Sequence, residues 1–222
     1  MRSWFGSLRG AWPARERTAE GAEPGLFAAA QPGPGHDEAV MVPWETRATE
    51  IGARSIPSGA AIANLQALWA RDRNMSRLEA QDIVQMERFF RFVRVGSGRV
   101  VIHQHEFGNF MVVLLRGSIA VDRRQPWGEL LRLAESRPGE ILGEMSLLDS
   151  GQRFSACTTL TDCEIAVLPA DGLDEMMGSD PRLAAALIAL LARKLSLRLR
   201  AVNARLTDRP NQEAPYGTRS GQ

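Results

Sequence analysis

PGEILGEMSLLDSGQRFSA, residues Pro138 to Ala156, is the stretch of this chain whose reading decides the fold. An apolar run ends at Gly143, where the absence of a side chain lets backbone approach a ligand closely. Glu144 follows and can accept hydrogen bonds from a diol. Ser146-Leu147-Leu148 can make one helical turn, whose free N–H groups attract an anion. A loop then ends at Arg153, whose planar fork matches two phosphate oxygens. Together these residues predict a cradle for one ribose and one phosphate. A rival reading of the same two charges is an internal ion pair between Glu144 and Arg153 that stiffens an empty barrel.

Outward from this stretch, residues 89–169 read as strands. Phe90, Phe92, Val93 and Val95 give way at Gly96-Ser97-Gly98, and Val100-Val101-Ile102 follows. Phe110 to Val121 is broken at Arg116-Gly117. Leu130-Leu131 and Leu133 lead to Pro138-Gly139, and Thr158 to Leu168 is the last apolar run. Short β-rich runs between regular turn signals predict a sandwich or barrel. Cys157 and Cys163 fall within it and are expected to be buried thiols rather than a disulfide framework.

Helices flank the barrel. Over residues 58–88, Ile62, Leu65 and Leu68-Trp69 fit one face of a short helix. Ser76 with Glu79 is read as a capping box opening a second. Residues 170–206 are helical again, interrupted at Gly178-Ser179-Asp180-Pro181, with Pro181 suited to a first turn. Ile188, Leu191, Leu195, Leu199, Val202 and Leu206 advance by threes and fours, a stripe suited to a dimer seam. Arg193, Arg198, Arg200 and Arg205 are expected to face water. Residues 207–222 are polar and read as a disordered tail.

Prolines at 13, 24, 32, 34, 43 and 57 punctuate residues 1–57, which read as a mostly disordered arm. Within it Trp4, Phe5, Leu8 and Trp12 recur near helical spacing, a candidate docking peptide for a partner or a membrane surface.

With these segments in place, residues 75 to 205 resemble the cyclic-nucleotide-binding domain family. Gly143-Glu144, Ser146-Leu147-Leu148 and Arg153 match its phosphate-binding cassette. Gly98 with Val101-Ile102, Gln104 to Met111, and Leu115 with Gly117 look like its early strands and turns. Leu160 to Glu164 and Val167-Leu168 fit its last barrel strand. The resemblance implies a mainly β fold: a jelly-roll barrel with N-terminal helices and a long C-terminal helix. It also implies that Glu144 binds the ribose 2′-hydroxyl and Arg153 the exocyclic phosphate oxygens. Gly143 and Met145 lie alongside, and backbone amides near Ser146 and Ser155 would help.

Two positions depart from the family pattern. Phe154 stands where a small residue is usual, which removes a possible phosphate hydroxyl and adds bulk beside the ligand. A hydrogen bond to a charged group is worth about 1.5–3 kcal/mol, so its loss means roughly ten- to a hundredfold weaker binding. His105 occupies a turn position where Gly is common. The ligand implied is cyclic AMP, with cyclic GMP as an alternative. Cyclic di-GMP is a third, because Phe154 could stack on a second base.

Composition narrows the function classes. Hydrophobic residues make up 44% and charged residues 24%, and the net charge is +1, so there is no overall pull toward nucleic acid or anionic lipid. Lys194 is the only lysine; this arginine usage, with much Ala and Gly, suggests a GC-rich bacterial source. The longest apolar stretch, Leu183 to Ala192, is about half of what a membrane span needs, so the expected location is the cytoplasm. His103, His105 and Glu106 hint at a metal site, but His36 is the only other histidine, and no metal or cofactor is expected. No nucleophile motif, Walker loop or dinucleotide fingerprint is present, so no enzyme is expected. Nor is sequence-specific DNA binding, since no helix-turn-helix follows the last helix. The expectation is a stand-alone sensor that signals through its C-terminal helices to an unidentified effector protein, as a homodimer. The alternative is a degenerate, ligand-independent interaction module.

Overall fold

The computed structural model describes residues 26–27 and 41–207, with the side chains of 205–207 outside the description. The aromatic arm at Trp4, Phe5, Leu8 and Trp12, His36 and the tail after Thr207 lie outside the described residues.

Strands β3 (Arg91–Val95), β4 (Val100–Ile102), β5 (Phe107–Gly108), β6 (Phe110–Arg116), β7 (Ile119–Arg124), β8 (Leu130–Ser136), β9 (Ile141–Leu142), β10 (Ala156–Thr159) and β11 (Cys163–Pro169) build the roll. With β2 (Arg54–Ser55), all of these except β5 form two antiparallel sheets, ordered β2-β3-β11-β6-β9 and β4-β10-β7-β8. β11 pairs with both β3 and β6, so the sequence-distant ends of the roll meet at its centre.

Burial explains the sequence pattern. Val93, Val95, Val112, Leu114, Ile165 and Val167 point from the first sheet toward Val101, Ile102, Ile119 and Cys157 of the second. The other face of the first sheet, with Phe92, Met111, Val113 and Leu168, packs under helices α2 (Ser58–Arg71), α5 (Ala170–Ser179) and α6 (Pro181–Thr207). A sheet covered on both faces reads as a continuous apolar run, as at Phe110 to Leu115. Edge strand β8 lies beyond this cover, and Leu130, Leu131 and Leu133 are exposed.

Cys157 and Cys163 are free and buried. Burial pushes the Cys157 thiol up to about 12, with the cation of Arg153 working against the shift. The solitary lysine anchors α6: Lys194 Nζ lies 2.9 Å from Asp72 Oδ2 at the end of α2. Burial tends to raise the Asp72 carboxyl, but hydrogen bonds and charge from Lys194 hold it below its ordinary value.

Three expectations need correction. The arm does not extend to residue 57, because β1 (Met41–Val42), α1 (Trp44–Ile51) and β2 precede α2. Pro43 supplies a fixed extended φ before α1, and Gly52, at φ 65°, ends it in the left-handed region. The capping box lies three residues later than read: Ser76 sits in a 3-10 turn, while Glu79 caps α3 (Ala80–Gln85) with Asp82, whose Oδ2 accepts from the Glu79 N–H at 3.0 Å. The leucine stripe is split. Leu191 is buried in this chain's own core and Ile188 packs against it, so neither is free for a seam, whereas Leu199 and Val202 are exposed.

Candidate functional site

The cassette folds around one side chain. Gly143 takes φ 77°, a left-handed turn from β9 into α4 (Glu144–Asp149). After the loop, Arg153 turns back beneath that turn and is only 2% exposed. Its Nη1 donates to the Gly143 carbonyl at 2.7 Å and its Nη2 to the Phe110 carbonyl at 2.7 Å. The guanidinium carbon lies 4.6 Å from the centre of the Phe110 ring, a cation–π contact. A Cβ on Gly143 would meet Arg153 Nη1 at 2.6 Å, and one on Gly108 would meet Nη2 at 2.8 Å. The two glycines therefore form a slot for the guanidinium. Gly143 is needed for the approach of Arg153, an approach the sequence reading assigned to a ligand.

The slot leaves the cation short of partners. Arg153 Nε is buried and, among the described residues, has no hydrogen-bond partner. Burial pulls the guanidinium down to about 10; Glu106 opposes that shift and Arg47 adds to it. A buried cation with an open donor is a site where an anion would be stabilised.

Glu144 is also buried, 6% exposed. It does not pair with Arg153. Its Oε1 lies 2.8 Å from Nη1 of Arg198, which reaches down from α6. Arg198 faces water, as the sequence reading expected, and is also an ion-pair partner. Ser146 and Leu147 are buried in α4, Met145 is exposed and Ser155 is half-buried. Phe154 is 53% exposed. The guanidinium of Arg123 sits 3.9 Å over its ring, and Arg123 Nη1 donates to the Phe154 carbonyl at 2.7 Å. The ring is turned to solvent with one face covered, so it does not fill the space beside Arg153 as its bulk suggested.

His105 has φ 68°, and its N–H donates to the Arg153 carbonyl at 2.9 Å. The left-handed turn accounts for glycine at such a position. Glu106 is engaged rather than free: its carboxylate pairs with Arg47 and accepts from the His103 N–H. Among the described residues, no three of His, Cys, Asp and Glu come together as a metal site.

The sequence reading missed α1. Met41 and Val42 pair parallel with Phe107 and Gly108, the latter a wall of the arginine slot. Trp44 meets the Phe110 ring edge-on, with centroids 5.3 Å apart. Trp44 and Ile51 join the cluster between the two sheets. The signal was available: Trp44, Ala48 and Ile51 share one helical face between Pro43 and Gly52.

Residues 92–180 match the family model described as the cyclic nucleotide-binding domain. The CRP-like cAMP-activated global transcriptional regulator of Mycobacterium tuberculosis is 27% identical over 144 residues, 65% of this chain and 62% of its own length. The Cyclic AMP receptor protein of Thermus thermophilus is 33% identical over 99 residues, 45% of this chain and 46% of its own. The chain therefore spans about half to three-fifths of these curated relatives. A crystal structure of a cyclic nucleotide-binding domain from Methylobacillus flagellatus KT superposes with a TM-score of 0.63 at 17% identity, covering 70% of this chain and 88% of that one. That likeness is one of fold.

Proposed function

We propose, for a chain whose residues 92–180 belong to the cyclic nucleotide-binding domain family, that it is a non-catalytic regulator that binds a cyclic nucleotide at the cassette. The observation that carries this reading is Arg153: a buried guanidinium in a two-glycine slot with Nε unpaired. A cyclic phosphate would supply the missing acceptor and countercharge. Glu144 would take the ribose hydroxyl, with Gly143, Met145, Ser146 and Ser155 around it. Cyclic AMP is the first ligand to test, because both curated relatives carry it in their names.

Output follows from Glu144. A ribose hydroxyl and Arg198 compete for one carboxylate, so binding there alters the tie between α4 and α6. A ligand shifts an equilibrium only by its preference for one state, and this shared carboxylate supplies such a preference. α6 would then signal to an effector protein or a second copy through exposed Leu197, Leu199 and Val202.

Isothermal calorimetry with cyclic AMP, cyclic GMP and cyclic di-GMP tests the reading. Micromolar heat is expected for at least one, and Arg153→Ala should abolish it. Silence from all three, with no shift in melting temperature, would refute it. A second reading, a ligand-independent interaction module, is favoured by one observation: Arg153 and Glu144 are both sealed from solvent.

A further inference from the structure

Resting on the nucleotide reading above, we propose that α1 is a built-in plug of the nucleotide site, and that the ligand binds by displacing it. Residues far upstream of the cassette cover two of the groups that hold Arg153, Phe110 and Gly108. Trp44 is 3% exposed and covers the edge of Phe110, the ring against which the Arg153 guanidinium lies. β1 occupies the free side of β5 at Gly108, where a Cβ would already strike that guanidinium. Ile51 follows Trp44 into the space between the sheets. Arg47 is buried with its Nε unpaired and brings a second cation to the neighbourhood, which disfavours the charged form of Arg153. The segment thus covers the ring behind the guanidinium and the strand edge that walls the slot, while its own Arg47 is held by Glu50 and Glu106.

Its attachments suit a part that leaves. β1 and β2, on either side, are two-residue strands. An eight-residue helix has little stability of its own once its packing is lost. Gly52, in the left-handed region, provides a joint at its end. By contrast the fold's other interior, under α2, α5 and α6, involves none of α1. The plug can therefore open while the body of the domain stays packed. Affinity for a nucleotide is then reduced by the fraction of molecules in which the plug is out.

Two full-chain variants raise that fraction without touching the cassette. Trp44→Ala removes the anchor, and Ala48→Pro breaks α1 in its body. Calorimetry with cyclic AMP, cyclic GMP and cyclic di-GMP should show both binding roughly tenfold or more tighter than the unaltered chain. In the unaltered chain, hydrogen exchange of the Met41–Ile51 amides should quicken by about the same factor at saturating nucleotide, whether or not the variants fold. An unaltered chain that binds, with variants no tighter and exchange unchanged or slowed, would make α1 a wall of the site. That outcome overturns the plug and leaves nucleotide sensing intact. No binding by any of the three proteins overturns both.

Discussion

The molecule has two interiors, and they are built to different standards. The one between the first sheet and the helices is apolar throughout: Leu65, Trp69, Phe89, Leu168, Leu187 and their neighbours. Its indole N–H, on Trp69, is satisfied by the Gly139 carbonyl at 3.3 Å. The interior between the sheets is also apolar in its main body, but beside it two guanidinium groups are buried, each with an unpaired Nε. Buried polar atoms without partners cost stability. A fold tolerates them where something other than stability is served. The first interior holds the domain together; the second, on the reading proposed above, is where a ligand would supply the missing partner.

The sharpest way to break this contrast is to cut into each interior in turn. Trp69→Ala should destabilise by about 3–5 kcal/mol in urea unfolding while leaving the nucleotide affinity of the folded protein within a few-fold. Arg153→Met should do the reverse. Nucleotide binding should fall on the order of a hundredfold, while the melting temperature holds or rises, because an incompletely paired buried cation is replaced by an apolar chain of similar length. A loss of stability comparable to that of Trp69→Ala would show the guanidinium to be a structural strut.

Smaller effects sharpen the same contrast. Cys157 lines the second interior, its folded thiol at about 12 against about 8.5 in an unfolded chain. Its contribution is therefore fully present below about pH 8.5 and is lost as pH rises toward the folded value. Alkylation at pH 9 should be slow in the native protein and fast in urea; Cys157→Ala should flatten the alkaline fall in stability. His105→Gly should stabilise by about 0.5–1 kcal/mol in thermal unfolding, since it relieves a left-handed backbone that disfavours a side chain. Arg198→Ala should lower stability modestly, because the guanidinium is largely exposed but the buried carboxylate of Glu144 loses its partner. Its effect should appear also as tighter nucleotide binding, with the carboxylate of Glu144 released.

Much of this arrangement was legible in the sequence. The turn signals delimited the strands of the roll, and the resemblance of Gly143, Glu144 and Arg153 to a family cassette pointed to the turn that the structure builds around Arg153. The continuous apolar run at Phe110 to Leu115 was read as strand, and the structure shows why it is unbroken: its sheet is buried on both faces. What escaped was whatever depends on distant pairing. No local pattern links Glu144 to Arg198, or Trp44 to Phe110, because such contacts are decided by how whole elements dock. α1 was hidden for another reason: the prolines around it signal irregular chain, and one apolar face of three residues is a faint helical mark. The stripe in α6 misled in the opposite direction. A periodic row records that a helix buries one face, but it does not say whether the cover is this chain or another. Here this chain's own cover gives way to exposure near Leu195.

That change has a mechanical meaning. α6 runs 27 residues, about 40 Å at 1.5 Å per residue, and only its first half is bedded in the body of the domain. Past Lys194 the rod overhangs by roughly 20 Å, moored to the cassette through Arg198. Slip that mooring, and a flex of about 10° at the edge of the bed would carry the far tip through about 3.5 Å. A chemical event the size of one hydroxyl would thereby be enlarged to the width of a side chain, at a point far from where it began.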